Sequence, residues 1–357
     1  MRSAERENIR RTKRALRSAG LMRRRRKKIP KRFFAVLLAA IVLTLAVLTD
    51  KLFFPVDYLW AYASQPQLQE REEGQFRAFF LDVGQGDCTL VQLPDGQFLM
   101  IDCGNGDTES LRTILGFCLA LGVGRIDRLF ITHGDSDHIG GLEAVLRCFG
   151  AGTVYFPNDL LAREEYADIL QMAESYSEEV CSAQALTSFF EEREENFWYG
   201  MVLSGFLDGE EENENDSSAI LYLEYAGRRL LFPGDISSRV EEELVTAFAQ
   251  TDGVIFEVPV KTSFGNVLLA PVLKNLDFLK ASHHGSSDAT GAAFCEYVQP
   301  QNVFFSCGAG NSYGHPSQQP LQNLVQAVPS AQFYRTDELG NIMLTIEQNG
   351  EFTVLAV

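Results

Sequence analysis

A cluster of two histidines and two aspartates lies directly after an apolar run that ends at residue 132. The cluster consists of His133, Asp135, Asp137 and His138. Imidazole and carboxylate groups packed this closely can hold one or two divalent cations. Gly134 and the Gly140-Gly141 pair let the backbone turn, so that the four side chains can converge. A solvated polar loop is the alternative. A lone histidine would favour that alternative, whereas a cluster of four such residues favours metal binding. We therefore predict a metal site.

The other histidines and one further aspartate also lie in loops behind apolar runs. Asp235 ends the segment LLFPGD, His283 and His284 follow LDFLKAS, and His315 lies in a glycine-rich loop behind NVFFSCG. Because polar residues recur at the ends of these runs, we expect one site at a common edge of the sheets that the runs form.

The elements that must position these residues begin at residue 76. Apolar runs bounded by turn residues predict strands over 76–83, 87–93, 97–102, 126–132, 153–157, 276–282, 302–308, 331–336 and 341–347, and a hairpin over 219–235. Helical spacing predicts helices over 110–121, 143–149, 237–250 and 319–328, and a mostly helical, acidic segment over 160–200. We expect the acidic stretch 158–216 to be a solvated face, with a lid over the site as the alternative. This order predicts an α/β fold of two mixed sheets with helices outside.

The charge of the chain is divided unevenly. The 357 residues carry a net charge of −17, but residues 1–32 hold fifteen Lys and Arg against two Glu. The remaining residues hold forty-six Asp and Glu against sixteen Lys and Arg, which repels a polyanion such as DNA. Seven cysteines are too few for a disulfide scaffold, and an odd number cannot all pair within one chain.

Sixteen uncharged residues, 33–48, follow the basic head. They are slightly short of the roughly 20 that span a bilayer, but Lys51 and the aromatic residues behind it can reach the interface. We predict a transmembrane helix over 33–54, a cytoplasmic head over 1–32 that contacts anionic lipid, and a linker over 55–75. The domain over 76–357 would then lie outside a single-pass cell-membrane anchor. A buried core helix, a signal peptide cleaved behind Ala61-Tyr62-Ala63 and a head that binds nucleic acid are the alternatives.

Several motifs follow one another in the order of a known family. They are FLDVGQGDCTLVQLPDGQFLMIDCG, THGDSDHIGGL, DSSAILYLEYAGRRLLFPGDI, HHGSSDAT, GNSYGHPS and YRTDELGNI. Together they resemble the metallo-β-lactamase superfamily and, within it, the metallohydrolase domain of ComEC-type competence (DNA-internalisation) proteins, over about residues 76–346. The resemblance implies an αββα sandwich of two mixed β-sheets with the metal site at one edge.

The resemblance also implies roles for the polar residues. It assigns His133 and Asp135 to one metal, Asp137 and His138 to a second, and Asp235 to both. His284, or else His283, would be the late histidine ligand, and the other of the two would face the substrate.

Three early aspartates match family positions that orient the ligands by hydrogen bonds, namely Asp82, Asp87 and Asp102. Capping of a turn is the alternative for Asp82 and Asp102. The chain departs from the superfamily pattern His-x-His-x-Asp-His, since Asp135 stands at the second histidine, and no histidine lies between His138 and His283. Harder oxygen ligands shift the preference from zinc toward manganese, so we expect one or two divalent ions, Zn or Mn.

The implied chemistry is hydrolysis by a hydroxide bridging two cations, because such cations lower the pKa of a shared water to near neutrality. We predict a phosphodiesterase or nuclease acting on a small phosphodiester or a nucleic acid, with Asp137 and His283 taking part. His315 and Asn311, with Tyr313 beside them, would bind a phosphoryl oxygen or protonate the leaving group. A capped turn with a core-facing tyrosine is the alternative for that loop. A lactone or amide hydrolase, a non-catalytic metal-stabilised binding ectodomain and a role in DNA uptake remain open. No protein partner is inferable.

Overall fold

The computed structural model describes residues 2–20, 34, 36–42, 44–45, 56–191, 194, 197–204, 214–250 and 257–357. They fall into two units, 1–52 and 53–357, which are described separately. In the first unit, α1 (Arg2–Ser18) is a basic, exposed helix. The predicted membrane helix over 33–54 lies largely outside the described residues. No helix within the described ranges is long and apolar enough to cross a membrane.

The second unit contains two large β-sheets and a separate hairpin. Its strands are β1 (Phe76–Phe80), β2 (Thr89–Gln92), β3 (Phe98–Ile101), β4 (Ile126–Phe130), β5 (Ala151–Phe156), β6 (Ser177–Ser182), β7 (Ser188–Phe190), β8 (Trp198–Val202), β9 (Leu221–Tyr225), β10 (Arg228–Phe232), β11 (Val258–Thr262), β12 (Gly265–Leu269), β13 (Phe278–Lys280), β14 (Asn302–Phe305), β15 (Gln332–Arg335), β16 (Ile342–Ile346) and β17 (Phe352–Ala356). The first sheet has the order β17-β16-β1-β2-β3-β4-β5-β6, the second has the order β15-β14-β13-β10-β9-β8-β7, and β11 pairs with β12.

The α-helices of this unit are α2 (Val56–Ser64), α3 (Thr108–Ala120), α4 (Ser136–Ile139), α5 (Leu142–Phe149), α6 (Asn158–Ala162), α7 (Ala167–Tyr176), α8 (Ser238–Gln250), α9 (Ala292–Val298), α10 (Gln318–Ala327) and α11 (Thr336–Leu339). Both sheets are mixed. In the first, β3 to β6 run parallel and the other neighbours antiparallel. In the second, β10, β13, β14 and β15 run parallel and the rest antiparallel.

Alternate residues of β1 show why the sheets form an inner pair of layers. Phe76, Ala78 and Phe80 lie in the core between the sheets, whereas Phe79 packs under the helices on the outer face. Phe80 stacks on Phe304 of the other sheet, with ring centroids 3.9 Å apart. Helices α3, α5 and α7 cover the first sheet, and α8, α9 and α10 cover the second. The prediction of two mixed sheets with helices outside is therefore confirmed.

The structure differs from the sequence-based expectation in the acidic segment. The prediction of a mostly helical stretch over 160–200 was wrong for its second half, where β6, β7 and β8 extend both sheets. Trp198 and Phe189 are buried between the sheets there, so tertiary packing outweighs the helix-favouring glutamates between them. The hairpin of β11 and β12 and the last strand β17 were also not predicted.

The segment predicted as a linker over 55–75 includes α2, which packs on α3. Ala61 of α2 is fully buried, and the guanidinium of Arg112 lies 5.1 Å from the ring centroid of Trp60. Further along, Arg71 donates hydrogen bonds to the carbonyl oxygens of Leu93 and Pro94. These contacts hold part of the segment against the domain.

Candidate metal centre

The segments that carry the candidate ligands begin at the ends of neighbouring strands. Strands β3 and β4 are parallel neighbours in one sheet, and β10 and β13 are parallel neighbours in the other. Since the carboxyl ends of parallel neighbours meet at one edge, the loops behind β3 and β4 converge, as do those behind β10 and β13. The two edges meet where His138, behind β4, lies 3.3 Å from Asp235, behind β10. The expectation of a site at a common edge therefore agrees with the topology.

Four buried side chains meet at this edge: Asp87, His138, Asp235 and His284. One ligand atom of each lies within 4.8 Å of all the others. The Nε2 atoms of His138 and His284 are 3.3 Å apart, and they lie 3.3 and 3.2 Å from Oδ2 of Asp235. Two imidazoles and two carboxylates at this spacing are a donor set for a divalent cation.

Buried polar atoms without hydrogen-bond partners at the site also indicate a bound divalent cation. Among the described residues, the buried Oδ1 atoms of Asp87 and Asp235 and the buried Nε2 of His133 have no hydrogen-bond partner. A buried polar atom left unpaired costs about 1–3 kcal/mol, so native proteins rarely leave three of them together. All three atoms are of the kind that bind metals. The residues present therefore fit a bound divalent cation.

Hydrogen bonds from behind orient both histidines of the cluster. Nδ1 of His138 lies 2.8 Å from Oδ2 of Asp102, whose carboxylate also accepts hydrogen bonds from the backbone N–H and the hydroxyl of Thr132. Nδ1 of His284 lies 2.9 Å from the carbonyl oxygen of Ser306, which can only accept. With Nδ1 engaged in this way, Nε2 of each ring is directed at the centre of the cluster.

The two adjacent histidines after β13 have separate positions. His283 and His284 have φ values of 48° and 53°, in the left-handed region that few residues other than glycine adopt. His284 is buried in the cluster, whereas His283 is half-buried at its rim, with Nδ1 3.3 Å from Asp288 and Nε2 3.9 Å from Asp235. This placement makes His284 the candidate late ligand, whereas a substrate-facing role for His283 stays a prediction.

The predicted ligands of the first metal lie beside the cluster. The rings of His133 and His138 are 4.1 Å apart, and Nε2 of His133 lies 3.7 Å from Oδ2 of Asp135. The side chain of Asp135 is 45% exposed, so this part of the site is open to solvent. Asp137 adjoins the buried cluster, with Oδ2 3.3 Å from Nε2 of His284.

Sequence reasoning missed the place of Asp87 in the cluster and the lysine that pairs with it. Lys280 is buried at the end of β13 and donates hydrogen bonds to Oδ2 of Asp87 (2.6 Å) and to the carbonyl oxygen of Ala281 (3.0 Å). A charged residue inside the apolar run LDFLKAS was the available signal, because a buried charge needs a partner. The other early aspartate, Asp82, accepts a hydrogen bond from the N–H of Gly84 and so caps its own turn.

The charges of the site stabilise one another. Burial by itself would raise the pKa of Asp87, but Lys280 and the two histidines of the cluster lower it below its usual value. The pKa of Asp235 is lowered in the same way, against burial, mainly by His284 and His138. The pKa of Asp137 is also lowered, to about 2. Burial opposes this shift, and hydrogen bonding to His284 produces it. The carboxylates are thus held ionised, as ligands must be, but against burial the same charges raise the pKa of His138 and raise that of His284 to about 9. Both imidazoles must therefore lose a proton before they can bind a cation.

The loop after β14 lies next to the histidines. The ring of His315 is 5.9 Å from that of His283 and 6.3 Å from that of His284. The Asn311 side chain donates hydrogen bonds to the carbonyl oxygens of Gly308 and His315 and accepts one from the His315 N–H, so it shapes this loop. Tyr313 is 69% exposed, which contradicts the alternative of a core-facing tyrosine. A direct catalytic part for Asn311 and His315 stays a prediction.

Comparison with known proteins finds relatives that match most of this chain. The chain is 28% identical over 293 residues to ComE operon protein 3 of Bacillus subtilis (strain 168), which covers 77% of this chain and 34% of that protein. It is 28% identical over 272 residues to Competence protein ComA of Neisseria gonorrhoeae, which covers 75% of this chain and 32% of that protein. The chain thus spans about a third of the length of these relatives.

Among solved structures, a metallo hydrolase of Ignicoccus hospitalis covers 79% of this chain and 99% of its own, at 12% identity and a TM-score of 0.42. A comparison with models of protein families also finds a match. Residues 81–308, well over half of the chain and including every residue of the buried cluster, match the metallo-beta-lactamase superfamily. The chain belongs to the metallo-β-lactamase superfamily.

Proposed function

We propose that this protein is a metal-dependent hydrolase that cleaves phosphoester bonds. The observation that carries the proposal is the convergence of Asp87, His138, Asp235 and His284, all buried, with ligand atoms within 4.8 Å of one another. Buried carboxylates and imidazoles with unpaired atoms are costly to maintain, so they indicate a functional site rather than a structural one.

The residues divide into holding and reacting groups. His138, Asp235 and His284 would hold one divalent cation, with Asp137 and the unpaired Oδ1 of Asp87 beside them. His133 with Asp135 would hold a second. Bound divalent cations supply activation of a water and stabilisation of charge on the entering and leaving oxygens. Asp102 and the carbonyl of Ser306 keep the ligating rings in place, since each engages the Nδ1 atom of one ring.

Two further histidines at the rim can handle protons. His283 lies between Asp235 and Asp288, so its ring can take or give a proton at Nε2 while Asp288 holds Nδ1. His315 lies beside both rings of the adjacent histidine pair, where a leaving group would emerge. Its Nδ1 atom is buried and unpartnered within the described residues, which leaves Nε2 as the atom that can face a substrate.

The charge of the domain favours a small substrate. Outside the basic head the chain holds thirty more acidic than basic residues, and a long polyanion would be repelled along its length. A small phosphodiester meets only the local field of the site. The resemblance to DNA-internalisation proteins raises DNA as the other substrate, but the chain spans about a third of the competence proteins that it matches.

The proposal includes a membrane anchor. The fifteen basic residues before position 33 and the uncharged stretch 33–48 support a single helix with the N-terminus in the cytoplasm and the hydrolase domain outside. The exposed basic face of α1 supports contact with anionic lipid. Protease added to intact cells should digest residues 76–357. Digestion only after cell lysis would indicate the opposite orientation.

The hydrolase is tested with the full-length protein in detergent. After removal of metal by a chelator, turnover of bis(p-nitrophenyl) phosphate and of single-stranded DNA is measured with Mn²⁺ or Zn²⁺. We expect metal-dependent turnover that Asp235→Ala and His138→Ala abolish and that Glu242→Gln, an exposed change on α8, leaves unchanged. Metal binding without turnover of any phosphoester would direct the search to lactones and amides. Absence of both would favour a non-catalytic binding domain.

A further inference from the structure

Helix α8 carries a glutamate where its pattern calls for an apolar residue. Glu241 is fully buried and lies one turn before Leu244 and two turns before Phe248, both of which pack in the outer core of the second sheet. Burying a carboxylate costs several kcal/mol unless hydrogen bonds compensate. Burial raises the pKa of Glu241 to about 7, against the lowering effect of its hydrogen bonds to Gly291, Ser282 and Thr290. A residue this costly calls for a function that an apolar side chain could not perform.

All three hydrogen bonds of this carboxylate go to one loop. Oε1 accepts from the hydroxyl of Ser282 at 2.5 Å and from the N–H of Thr290 at 2.8 Å, and Oε2 accepts from the N–H of Gly291 at 2.7 Å. Ser282 immediately precedes the histidine pair, and Thr290 and Gly291 are at the far end of the same loop. Glu241 therefore ties together both ends of the loop that carries the histidines.

That loop needs an external constraint. His283 and His284 have consecutive left-handed backbone conformations, each of which costs of the order of 1–3 kcal/mol. Such conformations persist only where the surroundings fix them from several sides. Besides Glu241, the N–H of His283 donates to the carbonyl oxygen of Gly234, and the N–H of Ser238 donates to that of Asp288.

The helix that supplies the carboxylate also follows a candidate ligand. Helix α8 begins three residues after Asp235, and Asp235 lies 3.2 Å from Nε2 of His284. Glu241 thus joins the segment behind one candidate ligand to the loop that carries another. It touches neither ligand itself, so its effect must pass through the backbone of Ser282 and Thr290.

We propose that Glu241 is a positioning residue of the metal centre, which holds His283 and His284 in their strained conformations by bonding both ends of their loop. The inference rests on the metal site of the proposed function but not on the reaction catalysed there. Loss of its bonds lets the loop relax and moves Nε2 of His284 away from Asp235. Partners that hydrogen-bond a ligand directly are typically worth 10–100-fold in metal affinity, and we expect the same range for Glu241, which acts through the backbone of the loop.

The test measures metal binding by the full-length protein without substrate. Glu241→Ala, Glu241→Gln and the exposed control Glu242→Gln are titrated with Mn²⁺ and Zn²⁺ by calorimetry, at a temperature where circular dichroism shows each to be folded. We expect the dissociation constant to rise about 10–100-fold for Glu241→Ala and less for Glu241→Gln. The glutamine keeps the volume of the side chain, but its NH₂ group is a donor and would face one of the loop groups that donate to the glutamate. The control should bind as the wild type does.

A purely structural glutamate would give a different result. It would lower the unfolding midpoint of both Glu241 variants while metal affinity and the visible spectrum of the Co²⁺-loaded protein stay as in the wild type, and that outcome overturns the proposal. If Glu241→Ala does not fold, Glu241→Gln decides: wild-type affinity in this variant overturns the proposal. Failure of the hydrolase is distinct, because it would appear as normal metal binding without turnover.

Discussion

The buried ion pair between Lys280 and Asp87 allows a quantitative prediction. The side chains are only 4% and 8% exposed, and Nζ lies 2.6 Å from Oδ2. Oδ1 of Asp87 has no hydrogen-bond partner among the described residues. In the metal-free protein, Lys280→Met would thus leave a buried carboxylate with neither oxygen hydrogen-bonded, and with Nδ1 of His284, 3.7 Å from Oδ1, as the nearest remaining cationic group. Breaking a buried pair in this way costs about 3–5 kcal/mol of unfolding free energy, and we expect Lys280→Met to lose about that much.

The measurement is urea unfolding in the presence of excess chelator, followed by the fluorescence of the buried Trp198. The exposed control Lys261→Met should change the unfolding free energy by less than about 0.5 kcal/mol. The double variant Lys280→Met with Asp87→Asn should recover part of the loss, because the unpaired charge is gone. We expect a coupling energy of about 2–3 kcal/mol between the two sites. Additive effects of the two changes would refute the reasoning.

Three further predictions concern metal, backbone and thiols. Mn²⁺ at about 100 times its dissociation constant should add about 2.7 kcal/mol to the unfolding free energy of the wild type, as measured by thermal unfolding. The same Mn²⁺ concentration should not stabilise Asp235→Ala. Gly86→Ala should weaken metal binding in calorimetry, because the new Cβ would lie 2.4 Å from the backbone oxygen of Asp137. Gly122→Ala, also at positive φ but with open space around it, should leave metal affinity unchanged. Burial raises the pKa of Cys148 to about 12, so this thiol should react slowly with a disulfide reagent at about pH 8 and faster as pH rises. Rapid labelling of Cys148 in the native protein, located by peptide mapping, would contradict that environment.

The fold could be predicted where the pattern is local. The apolar runs of β1, β4 and β14 and the helices α3, α8 and α10 have clear periodicity, and each lies where the sequence places it to within a few residues. The strands β6 to β8 were missed because glutamates around Trp198 favour a helix locally. Their burial between sheets is a property of the assembled fold.

The candidate site divides in the same way. Residue types and spacing were enough to indicate the cluster at 133–138, Asp235 and the histidine pair, since ligands at strand ends are visible in the chain itself. The sequence did not indicate which histidine of the pair enters the cluster. The answer depends on the left-handed backbone of both residues and on the carbonyl oxygen of Ser306, which orients His284.

By itself, the sequence determined the donor types, the order of strands and loops, the membership of the superfamily and the acidic character of the domain. Only the tertiary structure decided that Lys280 neutralises Asp87 and that Glu241 holds the histidine loop. Lys280 and Asp87 are 193 residues apart in the chain. The physical reason is that burial and pairing of charges depend on through-space distance. Local propensity carries no information about a partner on another strand.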